Sequence, residues 1–454
     1  MTAASAFAVC ADRILTPAGW SHDAVLVSEG RVQGLIPRGE IPAALRVENF
    51  EGAELVPGVV DSHVHLNDPG RAEWEGFRTG TRAAAAGGIT TVVDMPLNSI
   101  PVTTTRVALE AKRAAASQAC WVDVAFWGGV IPGNQNELLP MVESGVVGFK
   151  AFMCHSGIDA FPASPPDVLR HALNVLAPTS VPLLVHAELD ALAVSPEGDS
   201  SNHYLDFLRT RPPAMEVEAI RLLIQLLRET GGRAHIVHLS SADALPLIAQ
   251  AKAEGLRLSV ETCPHYLTFS AEDIPLGATE YKCAPPIRER ENRERLWQGL
   301  SDGVIDFIAC DHSPCTPALK LMESGDFLGA WGGISSLQFS VSAVWTEAHR
   351  RGFDVPTVWR WLAARTAAFC GLGDRKGCIA PGYDADLVAW RPAGQRTVQA
   401  DFILHRHSLT PYLGRSLLGE VDATWVRGEY VYNRGELSVD PRGICITPGS
   451  ATTI

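Results

Sequence analysis

The sequence predicts an α/β protein: a (β/α)8 TIM barrel with a small β-sandwich domain formed from both chain ends. Three observations predict it. Apolar, strand-like runs alternate with helical or loop stretches through residues 55–379. The two ends, residues 1–54 and 380–454, instead carry short strands broken by turns. Five of the runs in the middle end in a side chain able to hold a metal.

The N-terminal part reads as Ala24–Val27, a Glu29-Gly30 turn and Val32–Ile36, which are apolar stretches bounded by turn formers. The apolar start, Met1 to Ala11, is expected to be the first strand of this domain. It lacks the basic opening of a secretory leader, and Asp12-Arg13 interrupts it early. A similar texture returns in Asp386–Trp390, Ala423–Val426 and Tyr430–Tyr432, with turns at Pro381-Gly382 and Arg427-Gly428. Between the ends, eight runs follow one another: Leu55–Leu66, Thr91–Met95, Val122–Val130, Val146–Met153, Leu183–Ala187, Ala234–Leu239, Arg257–Thr262 and Asp306–Asp311. Helical stretches separate them, among them Met215–Glu229, where apolar residues recur about every 3.6 positions. A barrel needs eight such units, whereas an open doubly wound sheet rarely needs eight parallel strands.

A barrel alone takes about 250 residues, so a chain of 454 has room for the companion domain. Lys and Arg total 38 against 51 acidic residues, a net charge of −13, and no basic run is present. That balance argues against nucleic acid or an anionic membrane as partner and for a small molecule. No stretch approaches the length of a transmembrane helix. The ten cysteines show no paired spacing, which points to a reduced, cytoplasmic protein.

His63 and His65 stand two apart at the carboxyl end of the first run, so both leave the same face of a strand. In a barrel that face is inward, at the end where active sites form. Paired imidazoles there either begin a divalent metal site or simply fill the barrel. The fourth run ends with Lys150 among apolar neighbours. A buried ammonium is costly and its pKa falls, leaving an amine that can react with carbon dioxide to give a carbamate. The competing reading is a lysine reaching out of the barrel mouth. His186, His238 and Asp311 close the fifth, sixth and eighth runs. Strand alternation sets His235 on the opposite side from His238, under a helix, and turns His312 away from the metals. His171, His203 and His349 fall in loop or helical segments, and His265 is open to either reading.

This ligand pattern resembles the amidohydrolase superfamily, and within it the cyclic amidohydrolases: hydantoinase, dihydropyrimidinase, dihydroorotase and allantoinase. The resemblance covers nearly the whole chain, including the return segment from Gly377 to Val388. Its details are similar to the allantoinase branch, in the stretches Leu66 to Phe77, Asp94 to Asn98, Cys263 to Tyr266, Pro285 to Arg288, Asp311 to Cys315 and Ala330 to Ile334. Dihydroorotases usually carry arginine where Asn67 stands. Hydantoinases carry tyrosine five residues after the lysine, where this chain has His155. Two further departures are Ala284, where relatives often have serine, and Asp68, where allantoinases more usually have glutamate.

The resemblance implies a hydrolase that opens the hydantoin ring of allantoin to give allantoate, in purine or ureide catabolism. It implies two divalent metals, zinc first, with manganese, cobalt or iron acceptable. His63, His65 and Asp311 are expected on one metal and His186 and His238 on the other. Lys150, carbamylated by carbon dioxide or bicarbonate to N6-carboxylysine, is expected to bridge them. The resemblance further implies that the metals would supply a hydroxide as nucleophile for the ring carbonyl, with Asp311 relaying its proton to the ring nitrogen. Asn67 and Ser313, with main-chain groups near Ala284 and Trp331, are expected to orient the ring. Relatives of this kind are commonly homotetramers. The polar loop from Leu189 to Pro213 either covers the site or is plain surface. Competing readings are a hydantoinase, dihydropyrimidinase or dihydroorotase, and a barrel that has lost its metals and serves as a scaffold.

Overall fold

A computed structural model describes residues 6–449 of the chain. Eight strand positions form a barrel: β1 (Val59–Val64), β2 (Ile89–Asp94), β3 (Asp123–Phe126, continued by Gly128–Gly129), β4 (Phe149–Phe152), β5 (Leu183–His186), β6 (Ala234–Ile236), β7 (Leu258–Thr262) and β8 (Phe307–Ile308). Neighbours pair in parallel from β1 to β3, and again from the Gly128–Gly129 continuation through to β8. Closure falls just beyond β8, where Val64 bridges His312 and the His65 amide donates to the His312 carbonyl at 2.8 Å.

Alternation along the strands separates two cores. On β5, Leu183 and Val185 pack outward with the helices, and Leu184 packs inward with Val93, Ala125, Trp127, Phe307 and Phe369. That inner cluster plugs one end of the barrel and leaves the other for chemistry. The expected helix is present as Ala214–Thr230, burying Ala219, Ile220, Leu223 and Leu227 on one face. It stops at Gly231, whose left-handed φ of 63° lets its amide close on the Leu227 carbonyl.

Strands from both chain ends join in one nine-stranded sheet. Phe7–Thr16 pairs in parallel with Arg46–Pro57, which pairs antiparallel with Leu387–Thr397. Ala24–Ser28 and Arg31–Ile36 extend the sheet on one side, and Ser416–Val426 and Glu429–Asn433 on the other. The expected opening strand therefore begins at Phe7, and Met1–Ser5 lie outside the described residues.

The first apolar run divides in two. Its residues up to Pro57 belong to the terminal sheet, and β1 begins at Val59. Gly58 between them is packed so closely that an added Cβ would lie 2.2 Å from Thr90 Oγ1. A buried ionic cluster fastens the two units. Lys376 Nζ reaches Asp123 of β3 at 2.7 Å and Asp386, next to a sheet strand, at 2.6 Å. Arg427, on a turn of the sheet, closes on Asp123 from the other side.

Candidate active site

The carboxyl ends of the barrel strands surround an open cavity of about 510 Å3. Lining it are His63, His65, Lys150, His186, His238 and Asp311, brought from five strands to one place. His63 and His65 leave β1 on the same face, their rings 5.5 Å apart. Asp311 Oδ1 lies 3.2 Å from His63 Nε2 and 3.5 Å from His65 Nε2. The His63 and His238 rings are 5.5 Å apart, and those of His186 and His238 4.5 Å. Phe152 stacks on His186 at 4.7 Å and fixes its ring plane.

Two of these positions depend on unusual backbone. His238 and Asp311 lie just past their strands with φ of 39° and 44°, in the left-handed region that non-glycine residues seldom occupy. This overturns the expectation for His235. Regular alternation would send it outward, opposite His238, but β6 ends at Ile236 and the turn at His238 swings that ring back inside. His235 is itself inside the barrel: Nε2 lies 3.1 Å from Glu261 Oε2, and the ring stacks on Phe307 at 5.1 Å.

The electrostatics suit metal ligation, which requires neutral imidazoles and ionised carboxylates. Burial lowers the pKa of His65, His186 and His238, keeping them uncharged. Burial alone would raise the Asp311 carboxyl, but His63 and His65 beside it hold it well below the usual carboxylate range. Glu261 accepts from His63 Nδ1 at 2.5 Å, which leaves Nε2 free to face Asp311. Burial pulls Lys150 down to about 8, with Asp311 and Glu261 opposing the shift.

These residues fit a divalent metal pair. Lys150 Nζ, His65 Nδ1 and His238 Nδ1 are all buried without a hydrogen-bond partner. Buried polar atoms are normally satisfied, and an unpaired buried amine among imidazoles is a strong exception. His63, His65 and Asp311 offer donor atoms within 4.8 Å of one another. Imidazole and carboxylate together suit zinc and its first-row neighbours.

The expected substrate contacts divide. Ser313, Ala284 and Trp331 line the cavity. Asn67 does not. Its backbone, at φ 63°, turns the buried amide towards the Pro314 carbonyl at 3.4 Å, behind the wall. Asn98 lines the cavity instead, with a buried Oδ1 that has no partner. It closes the Asp94 to Asn98 stretch, so the motif carried the signal but not which residue would face in. Further wall residues absent from the sequence reading are Asp190, Arg211 and Lys282. The Leu189 to Pro213 loop thus forms part of the wall, through Asp190, Pro196, Phe207, Thr210 and Arg211.

His155 also lines the cavity, its Nδ1 accepting from the Gly157 amide at 3.1 Å. His312 points away, bonded to Glu75 and to the Ser336 amide. His171, His203 and His349 are exposed. His265 is fully buried close to Asp311 and Cys263, with neither ring nitrogen bonded.

Residues 55–431 match the Amidohydrolase family. The chain is 49% identical to an allantoinase of Streptomyces avermitilis, over 95% of this chain and 96% of that protein. It is 44% identical to an allantoinase of Arabidopsis thaliana, over 96% of this chain and 90% of the relative. Among solved structures, an L-hydantoinase (dihydropyrimidinase) from Arthrobacter aurescens superposes with a TM-score of 0.89 at 29% identity, covering 97% of this chain and 99% of that one.

Proposed function

The chain belongs to the amidohydrolase family, and from that membership we propose that it is an allantoinase, hydrolysing the hydantoin ring of allantoin to allantoate. End-to-end identity to allantoinases supports the substrate. The single observation that carries the chemistry is the unpaired, buried Lys150 amine among four histidines and Asp311 at one cavity.

His63, His65 and Asp311 would hold one divalent metal, and His186 and His238 the other. Lys150, as its carbamate, would bridge them; its lowered pKa leaves the free amine needed to take up carbon dioxide. Zinc fits this donor set best, with manganese, cobalt and iron also compatible. The metal pair, when bound, lowers the pKa of water towards about 7 and polarises the scissile carbonyl. Asp311 lines the cavity with its pKa held low, and it would take the proton of the attacking water and return it to the departing ring nitrogen. The ring amide C–N bond breaks, a carboxylate forms on carbon and the nitrogen leaves as N–H.

Asn98 and Ser313, with the main chain around Ala284, offer polar groups to a neutral ureido ring. Trp331 supplies an apolar wall, its indole braced edge-on by Trp74 at 5.1 Å. We further propose a cytoplasmic homotetramer; the ten unpaired cysteines agree with a reducing setting, and light scattering of the purified protein reads the assembly.

The test is a turnover panel of allantoin, hydantoin, dihydrouracil and dihydroorotate on the metal-loaded protein. Allantoate formed at least about 100-fold faster than any other ring opens is the expected outcome. Preferential opening of another ring sinks the substrate while leaving the chemistry intact.

A further inference from the structure

Behind His186 and His238 lies a chain of charged side chains that the reaction itself does not use. Glu188 stands two residues beyond His186 and is fully buried. Its Oε2 accepts from His186 Nε2 at 2.7 Å. A carboxylate can only accept, so the ring proton sits on Nε2 and the Nδ1 lone pair is left for another partner. Arg211 grips the same carboxylate with two hydrogen bonds, from Nη2 at 2.6 Å and Nε at 3.1 Å.

The chain continues. The Arg211 carbonyl accepts from Arg288 Nη1 at 3.2 Å, and Arg288 pairs with Glu216 at 2.8 Å. The other oxygen of Glu216 accepts from the amides of Ser240 and Ser241, at 3.0 and 3.1 Å. Those amides stand two and three residues beyond His238, the residue held at a left-handed φ. The two acids and two arginines balance in charge, so the whole ladder can be buried without a net ion.

We propose that Glu188 and Arg211 are positioning residues for the second metal, forming with Arg288 and Glu216 a clamp that presents His186 and His238 together. The proposal rests on the reading of those two histidines as ligands. Outer partners of this type orient a ligating imidazole and select its tautomer. A second consequence follows from position. Arg211 also lines the cavity, so the Leu189 to Pro213 loop is anchored to a metal ligand at its far end.

The clamp is tested by counting metal. Wild type, Glu188→Ala, Glu188→Gln and Arg211→Met are stripped, reloaded with zinc and bicarbonate, and equilibrated against graded chelator. Zinc per chain is then read by elemental mass spectrometry. Wild type is expected to hold two. Glu188→Ala should keep one zinc at wild-type affinity and bind the second roughly 10–100-fold more weakly. Glu188→Gln should lie between, because its amide oxygen still accepts from Nε2. Arg211→Met should also weaken only the second zinc, and carries the test with Glu188→Gln if the alanine variant does not fold. Two zinc ions held at wild-type affinity in all variants overturn the proposal, as does an equal loss of both ions, which marks a merely structural role. Wild type binding fewer than two overturns the ligand assignment and the clamp with it.

Discussion

His265 shows what burial does to one side chain at this site. Burial holds its pKa down to about 4, although Asp311 nearby pulls the other way. In the unfolded chain the same imidazole takes a proton as pH falls through about 6.5. Between those values the unfolded state binds the extra proton, so stability drops as pH falls and levels off below about 4. The metal-free protein should therefore lose about 2 kcal/mol through this residue between pH 7 and pH 5. A His265→Asn variant is expected to show a smaller fall in thermal midpoint over that interval. An equal fall in both proteins excludes His265 as a contributor.

At the scale of elements, the strand ends decide what the sequence could reveal. The His63 and His65 pair was legible because the two residues stand two apart at the end of β1, and both rings reach the cavity although the pairing of β1 with β2 shifts register between Asp61 and Val64. The same rule misplaced His235, because β6 stops after Ile236 and the reversed backbone at His238 is not written in any local pattern. Asn67 failed for a related reason: its left-handed backbone turned a motif residue behind the wall. Glu188 lies only two residues from His186, but its partner Arg211 arrives from a loop whose path no periodicity fixes.

The junction at Gly58 was also hidden, since one apolar run serves two sheets. Its tight packing gives a direct prediction. Gly58→Ala should cost about 1–3 kcal/mol through overpacking, because its Cβ would meet Thr90 at 2.2 Å. Trimming Thr90 to alanine in the same chain should recover part of that loss in the unfolding midpoint. No recovery places the cost elsewhere.

Across the whole molecule, the terminal sheet and the barrel are joined by charge as well as by the chain passing through Gly58 from one strand to the next. Lys376 is 1% exposed and contacts Asp123, Asp384 and Asp386. Replacing it with methionine leaves three buried carboxylates short of a cation. Removing one partner of a buried ionic cluster typically costs about 3–5 kcal/mol. Lys376→Met should lower the thermal midpoint markedly while leaving zinc per folded chain at the wild-type value, since the cluster does not reach the cavity. The barrel class, and the strand-end side chains that meet at one cavity, were readable from the sequence because eight runs recur and five of them end in such a side chain. The clamp, the plug and this ionic cluster were not, because each joins residues far apart in the chain.

Opening of allantoin at a metal pair bridged by Lys150 can be followed as allantoate formation while zinc, with bicarbonate, is titrated into the metal-free protein, with Lys150→Ala alongside. The expected result is activity that saturates at two zinc ions per wild-type chain and falls by roughly 100-fold or more in the variant. Allantoate formed at full rate by metal-free protein, or by Lys150→Ala, rules out a lysine-bridged metal pair as the seat of the reaction.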